Sequence, residues 1–88
     1  ANIQLRSGPN PFGESFELTY HTGDNTFVKA ELLGVMGTRA MLISEGTKNE
    51  GMHQETISTS QIPVGPYILK LTMNNEVYYQ KLLKINNN

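Results

Sequence analysis

Residues 61–71 read Q-I-P-V-G-P-Y-I-L-K-L, a stretch that begins as a turn and continues as a strand. Proline fixes the backbone angle φ and glycine reaches conformations closed to other residues, so Pro63, Gly65 and Pro66 indicate a tight corner. From Tyr67 onward, every second residue is apolar, the period of a strand with one buried face. In β-sandwiches, a tyrosine just after such a corner often bonds its hydroxyl to the backbone upstream. Tyr67 is therefore predicted to form a tyrosine corner.

Turn signals divide the rest of the chain into short alternating segments. The predicted strands are residues 1–6, 15–20, 28–33, 40–44, 52–57, 67–73 and 77–85. No window places apolar residues at helical spacing after a capping residue. The pattern predicts one all-β domain over residues 1–88, an immunoglobulin-like antiparallel β-sandwich of about seven strands.

Three local features lead to further expectations. The apolar run 41–43 is expected to be covered on both faces, and the polar, glycine-containing segment 45–51 is expected to be a mobile loop. In the last strand, Lys81 shares its parity with the apolar residues Val77, Tyr79, Leu83 and Ile85. The sequence leaves two explanations open. Either a bulge shifts the register near Gln80, or this is an edge strand that turns a lysine inward against aggregation.

Composition limits the classes of function. The 88 residues contain no cysteine, which excludes disulfides and thiolate metal sites. Seven basic and eight acidic residues give a net charge of −1, so no nucleic-acid partner is expected. No apolar run approaches the roughly 20 residues that span a bilayer, so no direct membrane insertion is expected either.

No catalytic or cofactor-binding motif is present. The chain has no G-x-S-x-G sequence and no phosphate-binding glycine loop. Its histidines, His21 and His53, lack the spacing of metal ligands and are interpreted as solvent-facing strand residues. We therefore predict a non-enzymatic domain without a cofactor or a metal.

Three motifs occur in a familiar order: Pro9-Asn10-Pro11-Phe12, then Gly65-Pro66-Tyr67, then Lys81-Leu82-Leu83-Lys84, with Val28-x-Ala30-x-Leu32 and Gly51-x-His53 between them. Together they resemble the type A C-terminal sorting domain of the type IX secretion system. The resemblance covers almost the whole chain. The sequence departs from the family pattern at Pro66, where a β-branched residue is more usual.

The resemblance implies a location and a set of partners. Domains of this family end proteins that cross the outer membrane of certain Gram-negative bacteria through the periplasm. An outer-membrane translocon recognises the folded domain, and a sortase-like surface peptidase typically removes it and attaches the passenger to lipopolysaccharide. The chain is thus expected to be the C-terminal end of a larger protein that is secreted or displayed on the cell surface.

The sorting signal is expected in the terminal strand, comprising Lys81, Leu82, Leu83, Lys84 and Ile85. An edge strand exposes unpaired backbone groups that a receptor could extend by strand addition, and the two lysines could add charge complementarity. A closing strand with solvated lysines explains the same residues equally well. Pro9, Asn10, Pro11 and Phe12 are interpreted as a rigid kink with a core phenylalanine, and Gly65 and Tyr67 as structural residues of the corner.

A second class of function stays open at this point. The domain could be a generic immunoglobulin-like accessory or spacer domain that binds carbohydrate or protein beside a catalytic domain. Glycan binding would require an exposed row of aromatic side chains, whereas Tyr78 is the only aromatic residue assigned to a solvent-facing position. The open edge of the terminal strand could also pair with a second copy, so the isolated domain could form an edge-strand homodimer.

Overall fold

The computed structural model describes residues 5–8 and 11–85 and consists of seven strands in two antiparallel sheets. The strands are β1 (Leu5–Gly8), β2 (Ser15–Thr22), β3 (Thr26–Gly34), β4 (Arg39–Lys48), β5 (Gly51–Ser58), β6 (Gly65–Met73) and β7 (Glu76–Lys84). One sheet has the order β1-β2-β5 and the other the order β4-β3-β6-β7. The predicted all-β sandwich is confirmed. Among the described residues, no helix is long and apolar enough to cross a membrane.

The core lies between the two sheets, where the alternating residues of both point inward. On β2, for example, Phe16, Leu18 and Tyr20 are buried while Glu17 is exposed. The buried apolar residues are Phe12, Phe16, Leu18, Tyr20, Val28, Ala30, Leu32, Ile57, Tyr67, Leu69, Leu71, Met73 and Leu82. Full burial of a large apolar side chain contributes about 1.5–3 kcal/mol, so this cluster supplies most of the stabilisation of a chain without disulfides.

The hairpin between β6 and β7 turns at Asn74 and Asn75, in the gap between the predicted strands 67–73 and 77–85. Asn74 has a φ of 53°, a left-handed conformation that asparagine tolerates better than most residues. It also joins the hairpin to β3. The backbone N–H of Asn74 donates to the Phe27 carbonyl at 2.8 Å, and the Asn74 side-chain oxygen accepts from the Phe27 N–H at 3.0 Å. One residue thus sets both the turn and its position on the sheet.

The first strand differs from its prediction. It was expected to end at Arg6, but Ser7 pairs with Leu18 and Gly8 pairs with Glu17, so β1 continues to Gly8. Small residues such as Ser7 and Gly8 pair normally on this edge strand. The predicted strand residues 1–4, and the motif residues Pro9 and Asn10, lie outside the described residues.

The prediction for β4 was wrong in two respects. The strand is an edge of its sheet and Leu42 is 42% exposed, so the run 41–43 is not covered on both faces. Residues 45–48 continue the strand, so segment 45–51 is not a loop and only a short turn at residues 49–50 separates β4 from β5. An edge strand is half solvated, and a polar composition therefore suits it as well as a loop.

The two explanations for β7 are separated by its register. It pairs with β6 continuously from Glu76 opposite Met73 to Lys84 opposite Gly65, so no bulge is present. β7 is an edge strand with an inward lysine, but that lysine is Lys84, which is 7% exposed, whereas Lys81 is exposed. The residues of β7 that point toward the core are therefore the alternate set that contains Leu82 and Lys84.

Candidate recognition surface

The corner between β5 and β6 has the predicted geometry. The Tyr67 hydroxyl donates to the Pro63 carbonyl oxygen at 2.6 Å, and only 8% of the Tyr67 surface is exposed. This bond spans four residues and fixes the angle at which the chain passes from one sheet to the other. The tyrosine corner is confirmed.

Lys84 bonds to the same corner from the other end of the chain. Its Nζ donates to the carbonyl oxygens of Thr59 and Ile62, the second at 2.6 Å. The aliphatic stem crosses the edge of the core while the ammonium group is satisfied by backbone carbonyls. The expectation that Lys84 supplies charge at the rim of a binding surface is therefore wrong, because its charge is directed into the protein. Nothing in the local sequence indicates acceptors more than twenty residues upstream.

Phe12 lies against the outer edge of β7. Its N–H donates to the Leu83 carbonyl at 2.8 Å, its own carbonyl accepts from the Ile85 N–H at 2.8 Å, and the segment runs parallel to β7 beside Lys84. The phenyl ring is 1% exposed and its centroid lies 5.1 Å from that of Phe16. The predicted burial of Phe12 is confirmed. The premise that β7 presents unpaired backbone groups is wrong at Leu83 and Ile85, where Phe12 already occupies them.

Thr59 connects these parts. Its N–H donates to the Glu14 carbonyl at 2.7 Å and its Oγ1 donates to the Gly13 carbonyl at 3.0 Å, while its own carbonyl accepts from Lys84. Thr59 is fully buried, so water cannot replace these partners. The described parts of the three motifs, at Phe12, Tyr67 and Lys84, thus meet at one end of the sandwich, which we call the corner end.

An open cleft of about 320 Å³ lies at the corner end and is predominantly apolar. It is lined by Val35, Pro66, Tyr67, Ile68, Lys81, Leu82 and Leu83, and we call it the outer cleft. Val35 is 63% exposed and Leu83 is 44% exposed, and the next outward residue of the chain, Ile85, is 39% exposed. The terminal segment therefore displays Lys81, Leu83 and Ile85 and conceals Leu82 and Lys84.

Val35 was not singled out by sequence reasoning. It sits in the turn between β3 and β4, where the Gly37 N–H donates to the Gly34 carbonyl at 2.9 Å and Gly37 has a φ of 86°. An apolar residue at a solvent-exposed turn position was the available signal, because most turn residues are polar or small.

The two histidines lie outside the outer cleft. Both are half-buried, which corrects the interpretation as solvent-facing residues. His53 Nε2 lies 2.9 Å from Thr22 Oγ1 and 3.0 Å from the Asn49 carbonyl. His21 lines a second cleft of about 280 Å³ with Asp24 and Glu76, among others. Within residues 5–8 and 11–85, no group of three or more His, Cys, Asp or Glu residues could hold a metal ion.

Tyr20, on the three-stranded sheet, has a shifted pKa. Burial, the charge of Glu55 and a 3.4 Å hydrogen bond from the Tyr20 hydroxyl to that carboxylate together raise the pKa of Tyr20 to about 12. The hydroxyl stays protonated at any physiological pH, so Tyr20 acts here as a core residue with a satisfied polar end and not as an acid or base.

An antiparallel sandwich of this size with a tyrosine corner defines an immunoglobulin-like domain. A family model described as a secretion system C-terminal sorting domain matches residues 9–86, and the chain belongs to that family. The match spans all three motifs and thus the whole corner end. A search of curated proteins found no match.

Membership of the family indicates a type IX secretion C-terminal sorting signal. Such a signal implies interaction with the secretion machinery and a passenger from a Gram-negative bacterium that is secreted or placed at the cell surface. Domains of this family are generally non-catalytic.

Proposed function

We propose that residues 1–88 form a single non-catalytic sorting domain at the C-terminal end of a larger protein, which the outer-membrane translocon recognises in its folded state. The observation that carries this proposal is the family match over residues 9–86. The contacts among Phe12, the corner and Lys84 support recognition of the folded form, because they place the motifs together only when the chain is folded.

The proposal extends to the fate of the passenger. After passage through the periplasm and the outer membrane, a sortase-like surface peptidase removes the domain and joins the passenger to lipopolysaccharide. This part rests on the resemblance to type A sorting domains alone. The domain itself carries neither the peptidase activity nor a lipid-binding segment in this scheme.

Within the proposed signal, residues 81–85 have two different roles. Lys81, Leu83 and Ile85 contact the receptor, since they are the exposed members of the segment. Leu82 and Lys84 position the segment, since one fills the core and the other bonds to the corner. Pro9, Asn10, Pro11 and Phe12, together with Gly65 and Tyr67, act in the proposal as structural residues that hold the signal in place.

A fusion experiment tests the function directly. Residues 1–88 are attached to the C-terminus of an inert periplasmic reporter and expressed in a host with type IX machinery and in the same host without its translocon. The reporter should reach the surface only in the first host, and mass spectrometry of the surface form should find the domain removed. If the folded fusion stays in the periplasm of both hosts, the sorting function is refuted and an accessory-domain role becomes the better explanation.

A further inference from the structure

The outer cleft exists because the strands of the sheet end at different levels. β3 pairs with β6 only as far as Gly34 opposite Tyr67, whereas β7 continues to pair through Pro66 and Gly65. Among the described strands, therefore, only β7 pairs with Gly65 and Pro66 of β6. The turn that follows β3 places Val35 beside this gap, and Leu83 lies across it on β7, opposite Pro66. The result is a depression with apolar walls on the outer face of the sheet.

The backbone of the terminal strand is not available at this end. Phe12 already bonds to the Leu83 carbonyl and the Ile85 N–H, and the Phe12 side chain is buried in the core. A receptor that added a strand here would first have to displace Phe12. Removal of such a buried aromatic side chain costs about 3–5 kcal/mol when measured by truncation to alanine. Recognition through side chains requires no such displacement.

The cleft itself has the properties of a binding site for a protein side chain. A volume of about 320 Å³ lies within the range of small-molecule pockets and holds one or two large apolar side chains. Its lining includes the cation Lys81, and its other described lining residues are uncharged. The next turn residue after Val35, Met36, is also apolar and is 88% exposed. Apolar walls next to the positive charge of Lys81 complement an apolar side chain beside a carboxylate.

We propose that the secretion machinery reads this domain through the outer cleft, into which a receptor loop inserts an aliphatic or aromatic side chain next to an Asp or Glu that faces Lys81. The proposal rests on the sorting function proposed above and names the surface that performs it. It adds Val35, which lies about fifty residues before the terminal segment, to the residues that contact the receptor. Interface energy concentrates in such central apolar anchors, while the surrounding contacts exclude water.

Two pairs of matched variants in the reporter fusion test the proposal. Val35→Asp is compared with Met52→Asp, because these apolar residues are 63% and 58% exposed and Met52 lies on β5 in the other sheet. Leu83→Asp is compared with Val77→Asp, because these residues are 44% and 43% exposed on the same face of β7. Both cleft variants should lower surface delivery by at least about tenfold, the loss expected for one interface anchor. Both controls should deliver the reporter as the parent does.

Each variant is first purified and melted, so that only folded domains are compared. Asp is well accepted in turns, so Val35→Asp should fold, and Val35→Ser replaces it if the melting temperature falls. A charge comparison completes the set: Lys81→Glu should block delivery, whereas Lys81→Arg should retain it.

The outcomes separate the two proposals. If the parent fusion is not delivered, the sorting function fails. A second outcome is that the parent is delivered, that Leu83→Asp blocks delivery and that folded Val35 variants do not. In that case the machinery recognises the terminal strand alone, and the cleft is not the contact surface. If Met52→Asp is as defective as Val35→Asp, the effect is one of surface charge and the cleft proposal is equally overturned.

Discussion

Replacement of Lys84 by methionine tests how the terminal strand is held. Methionine keeps most of the length and apolar character of the stem but removes the ammonium group that bonds to the Thr59 and Ile62 carbonyls. Thr59 retains one donor, because the Ile62 N–H lies 3.2 Å from its carbonyl oxygen. Ile62 is half-buried, so water reaches its carbonyl only in part.

The expected loss of stability follows from these partners. Hydrogen bonds to a charged group contribute about 1.5–3 kcal/mol each, and an unsatisfied buried carbonyl costs about 1–3 kcal/mol. Against this, burial of an ammonium group without a carboxylate costs several kcal/mol, and the substitution removes that cost. Because one carbonyl keeps a donor and the other is partly hydrated, we expect a net destabilisation of about 2 kcal/mol. For a domain of this size, that lowers the melting temperature by about 8–16 °C.

The assay is thermal unfolding of the purified domain by calorimetry, with Lys81→Met as the control on the same strand. Lys81 is exposed, and surface substitutions usually change stability by less than about 0.5 kcal/mol. Equal melting temperatures for Lys84→Met and Lys81→Met, or a stabilised Lys84→Met, would show that the desolvation cost of the ammonium balances its two bonds. The assignment of Lys84 as the residue that positions β7 would then be refuted.

Three further predictions concern the corner, the core and the response to alkali. Tyr67→Phe should destabilise the domain by about 1–1.5 kcal/mol, since the exposed Pro63 can bond to water instead; a change within error in chemical denaturation would contradict the corner. Phe12→Ala should cost about 3–5 kcal/mol and Phe12→Leu clearly less; equal urea midpoints for the two would place the ring outside the core. Burial, the Glu55 charge and the hydrogen bond between Tyr20 and Glu55 raise the pKa of Tyr20 to about 12. The protonated hydroxyl therefore stabilises the fold fully below pH 10, near the pKa of tyrosine in the unfolded chain, and this contribution is lost as pH rises through 12. Between pH 10 and pH 12, the parent should lose about 1–2 kcal/mol more stability than Tyr20→Phe, a value that allows for solvent screening at the partly buried hydroxyl. If the stabilities of the parent and Tyr20→Phe fall in parallel with pH, Tyr20 makes no such contribution.

The sequence was most informative where a local signal has one structural solution. A proline- and glycine-rich corner followed by Tyr67 predicted a hydrogen bond that the structure contains, and the alternation of Phe16, Leu18 and Tyr20 predicted a buried face. These features depend on residues close together in the chain. The fold class could therefore be derived without knowledge of any long-range contact.

The parts that could not be predicted depend on distant segments. β4 shows no alternation in its apolar run because its register with β3 shifts between Ala30 and Glu31 and again between Leu32 and Leu33. β7 has apolar residues on both faces, so hydrophobicity alone could not choose its inward side. The hairpin register fixes that side, because it places Leu82 opposite the buried Tyr67 and Lys84 opposite Gly65. The Thr59 and Ile62 carbonyls then accept from Lys84 across the corner, a contact that no local pattern indicates. The outer cleft depends on where three strands end, which no local pattern records.

The parallel pairing of Phe12 with β7 has a mechanical consequence. A pull on the chain before Phe12 and an opposite pull after Ile85 act along two segments that point in the same direction. Both hydrogen bonds between them, each 2.8 Å long, are then sheared together instead of being broken one after the other. The Lys84 bonds to the corner resist the same displacement. Tension applied at these two points would thus load both backbone bonds and the Lys84 contacts at the same time.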